Sequence, residues 1–422
     1  MRILIKNSFV IDPEKKSSVK DILIENGKIL SVRPNIDEDA DKIINGKGLY
    51  SFPGLIDIHV HLREPGHEYK ETIESGTLAA AKGGFTHLCC MPNTNPVNDN
   101  ASVTSFIIEE SKKYNHCTLY PVAALTKGLE GDEICEYGEL KEKGIVALSD
   151  DGRPVEDSMV MRRAVEYAKA FDIPVFCHSE DLKLAGNGVM NEGFISTKLG
   201  LGGIPDIAES LGVKRDIDIA SITGHRVHIA HVSTKKSIDL IRAAKKAGVK
   251  VTAETAPHYF TLTEEAVGEY NTYAKMNPPL RTKADREAVI EGLKDNTLDV
   301  IATDHAPHSD EEKMVPFEQA AFGIVGLETS LPLSLELVRK NILSLEDLAM
   351  KMSINPGRII GVDNSIREGN FANITIVNPN FKWEVTKASL VSKSKNSPFL
   401  RDIMEGFSEY TINNGNITWS RI

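Results

Sequence analysis

Eight short apolar runs, each followed by a longer mixed stretch, limit what this chain can fold into more than any other feature. The runs cover residues 55–60, 86–91, 118–123, 145–148, 174–177, 227–230, 249–253 and 299–302. They are rich in β-branched residues and too short for buried helices, as expected of strands covered on both faces. Segments such as 71–82, 155–171 and 235–247 carry the helical period between them. Eight such βα units in roughly 300 residues are the arithmetic of a (β/α)8 TIM-type barrel. An open doubly wound sheet is the alternative, but no glycine-rich dinucleotide fingerprint follows the first run.

The two ends read differently. Residues 2–6, 21–25, 29–33 and 41–44 look like strands separated by Asp12-Pro13, Asn26-Gly27 and Asn45-Gly46. Strand character returns at 372–377 and 417–419, with Asn413-Asn414-Gly415-Asn416 as a turn signal. The ends are therefore expected to pair into a small β-sandwich domain. The expected division is 1–52 and 361–422 for that domain and 53–360 for the catalytic barrel. Ser392-Lys393-Ser394-Lys395-Asn396 reads as a polar loop.

A formal net charge of -11 argues against a nucleic-acid partner, which usually meets a basic face. It leaves a small substrate open, because a locally basic pocket fits in an acidic protein. The five cysteines form no CxxC pair and are odd in number, which fits free thiols in a reducing cytoplasm. The N-terminal apolar run is too short for a signal sequence, and no stretch of 18 apolar residues exists to span a membrane.

The chemistry-bearing residues fall at the carboxyl ends of the runs. His59-Val60-His61 closes the first, and residues i and i+2 of a strand share a side. Asp150-Asp151-Gly152 follows the fourth, His178 the fifth, His231 the sixth and Asp304 the eighth. In a barrel that rim is where active sites assemble. Buried imidazoles and carboxylates gathered there are costly without a cation. The pattern implies one or two divalent metals, and the His/Asp donor set favours zinc. His67, His87, His116, His225 and His258 lack this placement and read as surface or core. His228 and His305 should face away from the site. His308, on the loop after the eighth run, is placed to face a substrate. Arg63 would face the same side as His61 if the strand continued, and its planar fork suits a carboxylate.

These residues also sit in recognisable motifs. Phe52-Pro53-Gly54-Leu55-Ile56-Asp57-Ile58-His59-Val60-His61-Leu62-Arg63-Glu64-Pro65-Gly66 resembles the start of bacterial class I dihydroorotases of the amidohydrolase superfamily. So do Met91-Pro92-Asn93-Thr94-Asn95-Pro96, Ser149-Asp150-Asp151-Gly152, Cys177-His178-Ser179-Glu180 and His231-Val232-Ser233-Thr234. Met276-Asn277-Pro278-Pro279-Leu280-Arg281 and Thr303-Asp304-His305-Ala306-Pro307-His308 complete the set. The resemblance spans essentially the whole chain. It implies reversible interconversion of N-carbamoyl-L-aspartate and L-dihydroorotate, a step of pyrimidine synthesis.

It further implies two zinc ions per chain. His59 and His61 would bind the first, and His178 and His231 the second. Asp151 would be shared between them, with Asp150 as competitor for that role. Asp304 would touch the first metal and act as general acid/base for a hydroxide nucleophile. His61, Arg63, Asn93, Asn277 and His308 would contact the substrate, and Phe322-Gly323 would close over its ring. The resemblance leaves room for a homodimer and for association with aspartate carbamoyltransferase. Many relatives in the superfamily bridge their metals with a carboxylated lysine on the fourth strand, and residues 145–148 contain none. The rival functions are another cyclic-amide hydrolase, such as a dihydropyrimidinase or allantoinase, and a non-catalytic subunit. The retained His/Asp set argues against the last. Residues 309–322 are expected to form a lid.

Overall fold

The structure, a computed structural model, describes residues 1–421; Ile422, the end of the expected C-terminal segment, lies outside the described residues. Five strands come first: β1 (Arg2–Val10), β2 (Ser18–Glu25), β3 (Lys28–Arg33), β4 (Lys42–Asn45) and β5 (Tyr50–Pro53). Eight more make the barrel: β6 (Leu55–Val60), β7 (Phe85–Cys90), β8 (Thr118–Ala123), β9 (Ala147–Ser149), β10 (Val175–Cys177), β11 (Val227–Ile229), β12 (Val251–Thr255) and β13 (Val300–Ile301). They are parallel, and each lies beside its neighbour in the chain. The ring closes where Val60 bridges His305 and the His61 N–H donates to the His305 carbonyl at 2.8 Å.

The expected barrel is therefore present, and its logic is visible strand by strand. Every residue of β6 and of β7 is buried, so both faces need apolar or fully partnered groups. The helices outside supply the second cover. In the helix Lys235–Lys246, Ile238, Ile241 and Ala244 share the buried face at helical spacing. Burying an isoleucine side chain in this way is worth about 1.5–3 kcal/mol. Thr234 accepts from the Ser237 N–H and so starts that helix at its strand-to-helix turn.

The ends form one further eight-stranded sheet with β14 (Ile374–Glu384), β15 (Ile403–Asn413) and β16 (Asn416–Ser420). Its order is β16-β15-β14-β5-β1-β2-β3, with β4 also on β1. A register shift between Ile5 and Ser8 splits β1: Ile3–Lys6 pairs with β4, and Phe9 and Val10 pair with β5. Strand β5 in turn pairs antiparallel with β14, so residues 50–53 are bonded to 374–377. The sheet curls until Ile22 and Ile24 of β2 meet Ile374 and Ile376 of β14 and Ile412 of β15 in one apolar cluster. The connection from β14 to β15 leaves this sheet and lies on the barrel's carboxyl rim, where Asn396 bonds to the backbone at Ala306 and His308.

Candidate active site

Two histidine–carboxylate triads meet at the rim, and Asp151 belongs to both. His59, His61 and Asp151 form one; Asp151, His178 and His231 form the other. The donor atoms within each triad lie within 4.8 Å of one another. Asp151 Oδ1 is 3.3 Å from His59 Nε2 and 3.4 Å from both His178 Nδ1 and His231 Nε2; its Oδ2 is 3.5 Å from His61 Nε2. Asp304 Oδ1 approaches the first triad, 3.2 Å from His61 Nε2 and 3.7 Å from His59 Nε2. All six side chains are buried.

Asp150 does something else. Its carboxylate accepts from the Leu125 and Thr126 N–H groups at 2.7 and 3.1 Å and from the Thr126 hydroxyl, so it fastens the loop after β8. The backbone that aims the donors is unusual. His231, Asp304 and Arg63 all have positive φ, at 34°, 49° and 63°. Non-glycine residues pay about 1 kcal/mol or more for this, and such outliers cluster at functional sites. Arg63 therefore reaches the site by a left-handed turn beyond the end of β6, and not by strand alternation.

The cluster fits a cation. His59 Nε2 and Asp151 Oδ1 are buried without a hydrogen-bond partner. Burial opposes charge on Asp151, but His59, His178 and His231 outweigh it and hold its pKa well below the ordinary value. Burial likewise opposes charge on His178, yet Asp151 and Glu180 raise it to about 10. Such a field draws positive charge, and a His/Asp donor set in it suits a divalent metal.

Two carboxylates that the sequence reading did not assign orient the imidazoles. Glu254 on β12 lies 2.6 Å from His59 Nδ1 and 3.1 Å from His228 Nε2. It turns the other nitrogen of His59 toward the cluster, the usual second partner of a metal-binding histidine. Glu180 lies 3.3 Å from His178 Nε2 and accepts from Asn277 Nδ2 at 3.0 Å. Asn93 Oδ1 plays the same part for His61, 2.8 Å from Nδ1.

A cavity of about 230 Å³ opens above the triads. Arg63, Asn93, Asn277 and His308 line it, as do Phe322 and Gly323. Arg63 Nη2 is 3.2 Å from His308 Nε2, and its Nε donates to the Pro307 carbonyl. Burial pushes the His308 pKa down to about 4 despite Glu312 at 3.2 Å from Nδ1, so the ring is neutral near pH 7. Asn277 Oδ1 is buried and unpartnered. The Gly323 N–H is already committed to the Lys275 carbonyl at 2.9 Å. Residues 310–313 are helical, and the loop they begin is fastened from beneath: Lys313 Nζ donates to the carbonyls of Thr272, Lys275 and Ala321. His228 and His305 face elsewhere, toward Thr252 and Glu254 and toward Glu71. His67, His87, His116, His225 and His258 do not line the cavity. His258 is buried but not satisfied, since its Nε2 has no partner. All five cysteines are buried free thiols. No helix among the described residues is long and apolar enough to cross a membrane.

Comparison with known proteins places this arrangement. A family model described as dihydro-orotase-like matches residues 48–237. The dihydroorotase of Geobacter sulfurreducens is 54% identical over 424 residues, and that of Desulforapulum autotrophicum 53% over 429, each match covering 100% of both chains. Among solved structures, an L-hydantoinase (dihydropyrimidinase) from Arthrobacter aurescens superposes with a TM-score of 0.90 at 22% identity, covering 99% of this chain and 96% of its own. A D-hydantoinase (dihydropyrimidinase) from Thermus sp. gives 0.81 at 23%, covering 98% and 94%. The structural likeness carries the fold; the full-length identity carries the kinship, and by it the chain belongs to the dihydroorotase family.

Proposed function

We propose that this chain is a metal-dependent cyclic-amide hydrolase that interconverts L-dihydroorotate and N-carbamoyl-L-aspartate. One observation carries the choice of substrate: a guanidinium fork, Arg63, stands over the same small cavity as two His–Asp triads. A hydrolytic centre needs no arginine to open a ring, but a ring bearing a carboxylate needs an anion site. The substrate carboxylate docks on Arg63, with neutral His308 beside it. The amide of Asn93 and the free Oδ1 of Asn277 complete the orientation of the ring.

In this reading His59, His61 and Asp151 hold one zinc ion, and His178, His231 and Asp151 hold a second, with Asp304 at the edge of the first. Bound there, the metals supply Lewis-acid chemistry, which makes water a competent nucleophile near neutral pH and polarises an amide carbonyl. The remaining work belongs to the chain. Asp304 takes the proton that attacking water gives up, then hands it to the ring nitrogen as the amide C–N bond breaks. In the reverse direction it accepts the proton of the carbamoyl nitrogen, which attacks the carboxyl carbon as water leaves. Phe322 covers the ring side of the cavity.

The same reading divides the chain into a catalytic barrel over 53–360 and a flanking domain from 1–52 and 361–422, working in the cytoplasm. It also allows a homodimer and a complex with aspartate carbamoyltransferase. The test is a side-by-side assay of the zinc-loaded chain on dihydroorotate, hydantoin and allantoin. Dihydroorotate should be the preferred substrate by orders of magnitude, and Asp304→Asn should abolish its turnover. Preference for hydantoin or allantoin would overturn the assignment. Metal analysis showing less than two equivalents at full activity would overturn the binuclear part alone.

A further inference from the structure

The polar stretch 392–396 looks like an ordinary surface loop in the sequence, yet Ser392 and Asn396 are only 0% and 1% exposed. By connectivity it belongs to the terminal sheet; in space it crosses the barrel rim. The Ser392 hydroxyl donates to Glu71, and the Lys393 N–H donates to Glu71 Oε1 at 2.9 Å. Ser394 Oγ donates to the Lys70 carbonyl at 2.6 Å. The strap is thus fixed before it reaches Asn396.

Asn396 commits its carboxamide to two cavity-side loops at once. Its Nδ2 donates to the carbonyls of Ala306 and Gly323, both at 3.1 Å. Its Oδ1 accepts from the His308 N–H at 3.0 Å. Its own carbonyl accepts from the Val325 N–H at 3.0 Å. Only a carboxamide of this length offers two donors and an acceptor here; aspartate keeps the acceptor and loses both donors. The loops it joins are closely fitted. Gly323 has φ +124°, and a Cβ there would lie 2.5 Å from the Ala306 Cβ. One further bond, from the Ala306 N–H to the Ile324 carbonyl at 2.7 Å, links them directly. Asn396 does not line the cavity.

We propose that Asn396 is a positioning residue: from outside the cavity it sets the spacing between His308 and the Gly323 backbone, and thereby the shape of the Arg63–His308 carboxylate pocket. The inference rests on the dihydroorotase reading given above. It assigns the strap, supplied by the terminal sheet, a part in substrate binding and none in the chemical step.

Asn396→Asp and Asn396→Ala test it in the full-length, metal-loaded chain. Losing buried hydrogen bonds at this site should raise KM for dihydroorotate about tenfold or more, with kcat held within about threefold. Metal content should stay at the wild-type value. Hydrogen exchange should quicken at the His308 amide in Asn396→Ala and not in Asn396→Asp, because aspartate still accepts there. An unchanged KM in a folded variant overturns the proposal, as does a fall in kcat and metal content at constant KM. Failure of both variants to fold overturns it too, in favour of a purely structural residue. If the wild type itself ignores dihydroorotate, the reaction assignment falls, while the exchange pattern still supports or overturns the clamp.

Discussion

At the scale of single residues, the imidazoles of His59, His61 and His178 meet at the site with their second nitrogens already engaged. His59 is held by Glu254 at 2.6 Å and His61 by Asn93 at 2.8 Å, so each presents Nε2 to the cluster. Most of this was legible. Strand ends are positions that a pattern reveals, and His59, His61, Asp151, His178, His231 and Asp304 converge as the rim argument requires. Glu254 was not legible, for a specific reason. The apolar run ends at Ala253, whereas the strand continues to Thr255 and carries the glutamate inside the barrel. Placing the charge there costs several kcal/mol unless it is paired, and two histidines pair it. Glu254→Gln should therefore lower metal affinity about 10–100-fold, the usual cost of removing such a partner. Equilibrium dialysis of the metal-free chain measures this, and an affinity within twofold of wild type would remove Glu254 from the account.

At the scale of elements, the short barrel strands tolerate almost no charge, and β7 shows the consequence. His87 is buried within it beside the Thr86 hydroxyl and stacks on Tyr120, with ring centroids 5.9 Å apart. Burial alone lowers its pKa to about 4. The unfolded chain takes up this proton near pH 6.5, and the folded chain refuses it until about pH 4. The unfolded state thus binds more protons in that window, so stability falls as pH drops through it, by about 3 kcal/mol at most. His87→Gln should remove this share of the acid sensitivity. Urea midpoints at pH 7 and pH 5 for both proteins give the comparison, and parallel shifts in the two would refute it. Element boundaries were less readable than element existence. The eighth run was expected over four residues and forms a two-residue strand, Val300–Ile301, with the left-handed Asp304 three residues beyond its end.

At the scale of the whole molecule, the two ends are not an appendage. Strand β5 is bonded to β14, the apolar cluster draws isoleucines from both ends, and the strap from the C-terminal side fastens the rim. The sequence suggested that the ends pair, since both are β and flank the barrel. It could not suggest the strap, because the side chains of Ser392 and Asn396 find their partners more than 70 positions away. A chain cut to 53–360 should accordingly lack a cooperative thermal transition and bind a hydrophobic dye; a sharp melt near that of the intact chain would show the barrel to be self-sufficient. The pairing of β5 with β14 also matters during synthesis. When the first 53 residues have left the ribosome, β5 has a bare edge whose partner will not be translated for more than three hundred further residues. An unpaired edge is a template for other chains, so the order of synthesis leaves β5 open to aggregation until β14 emerges.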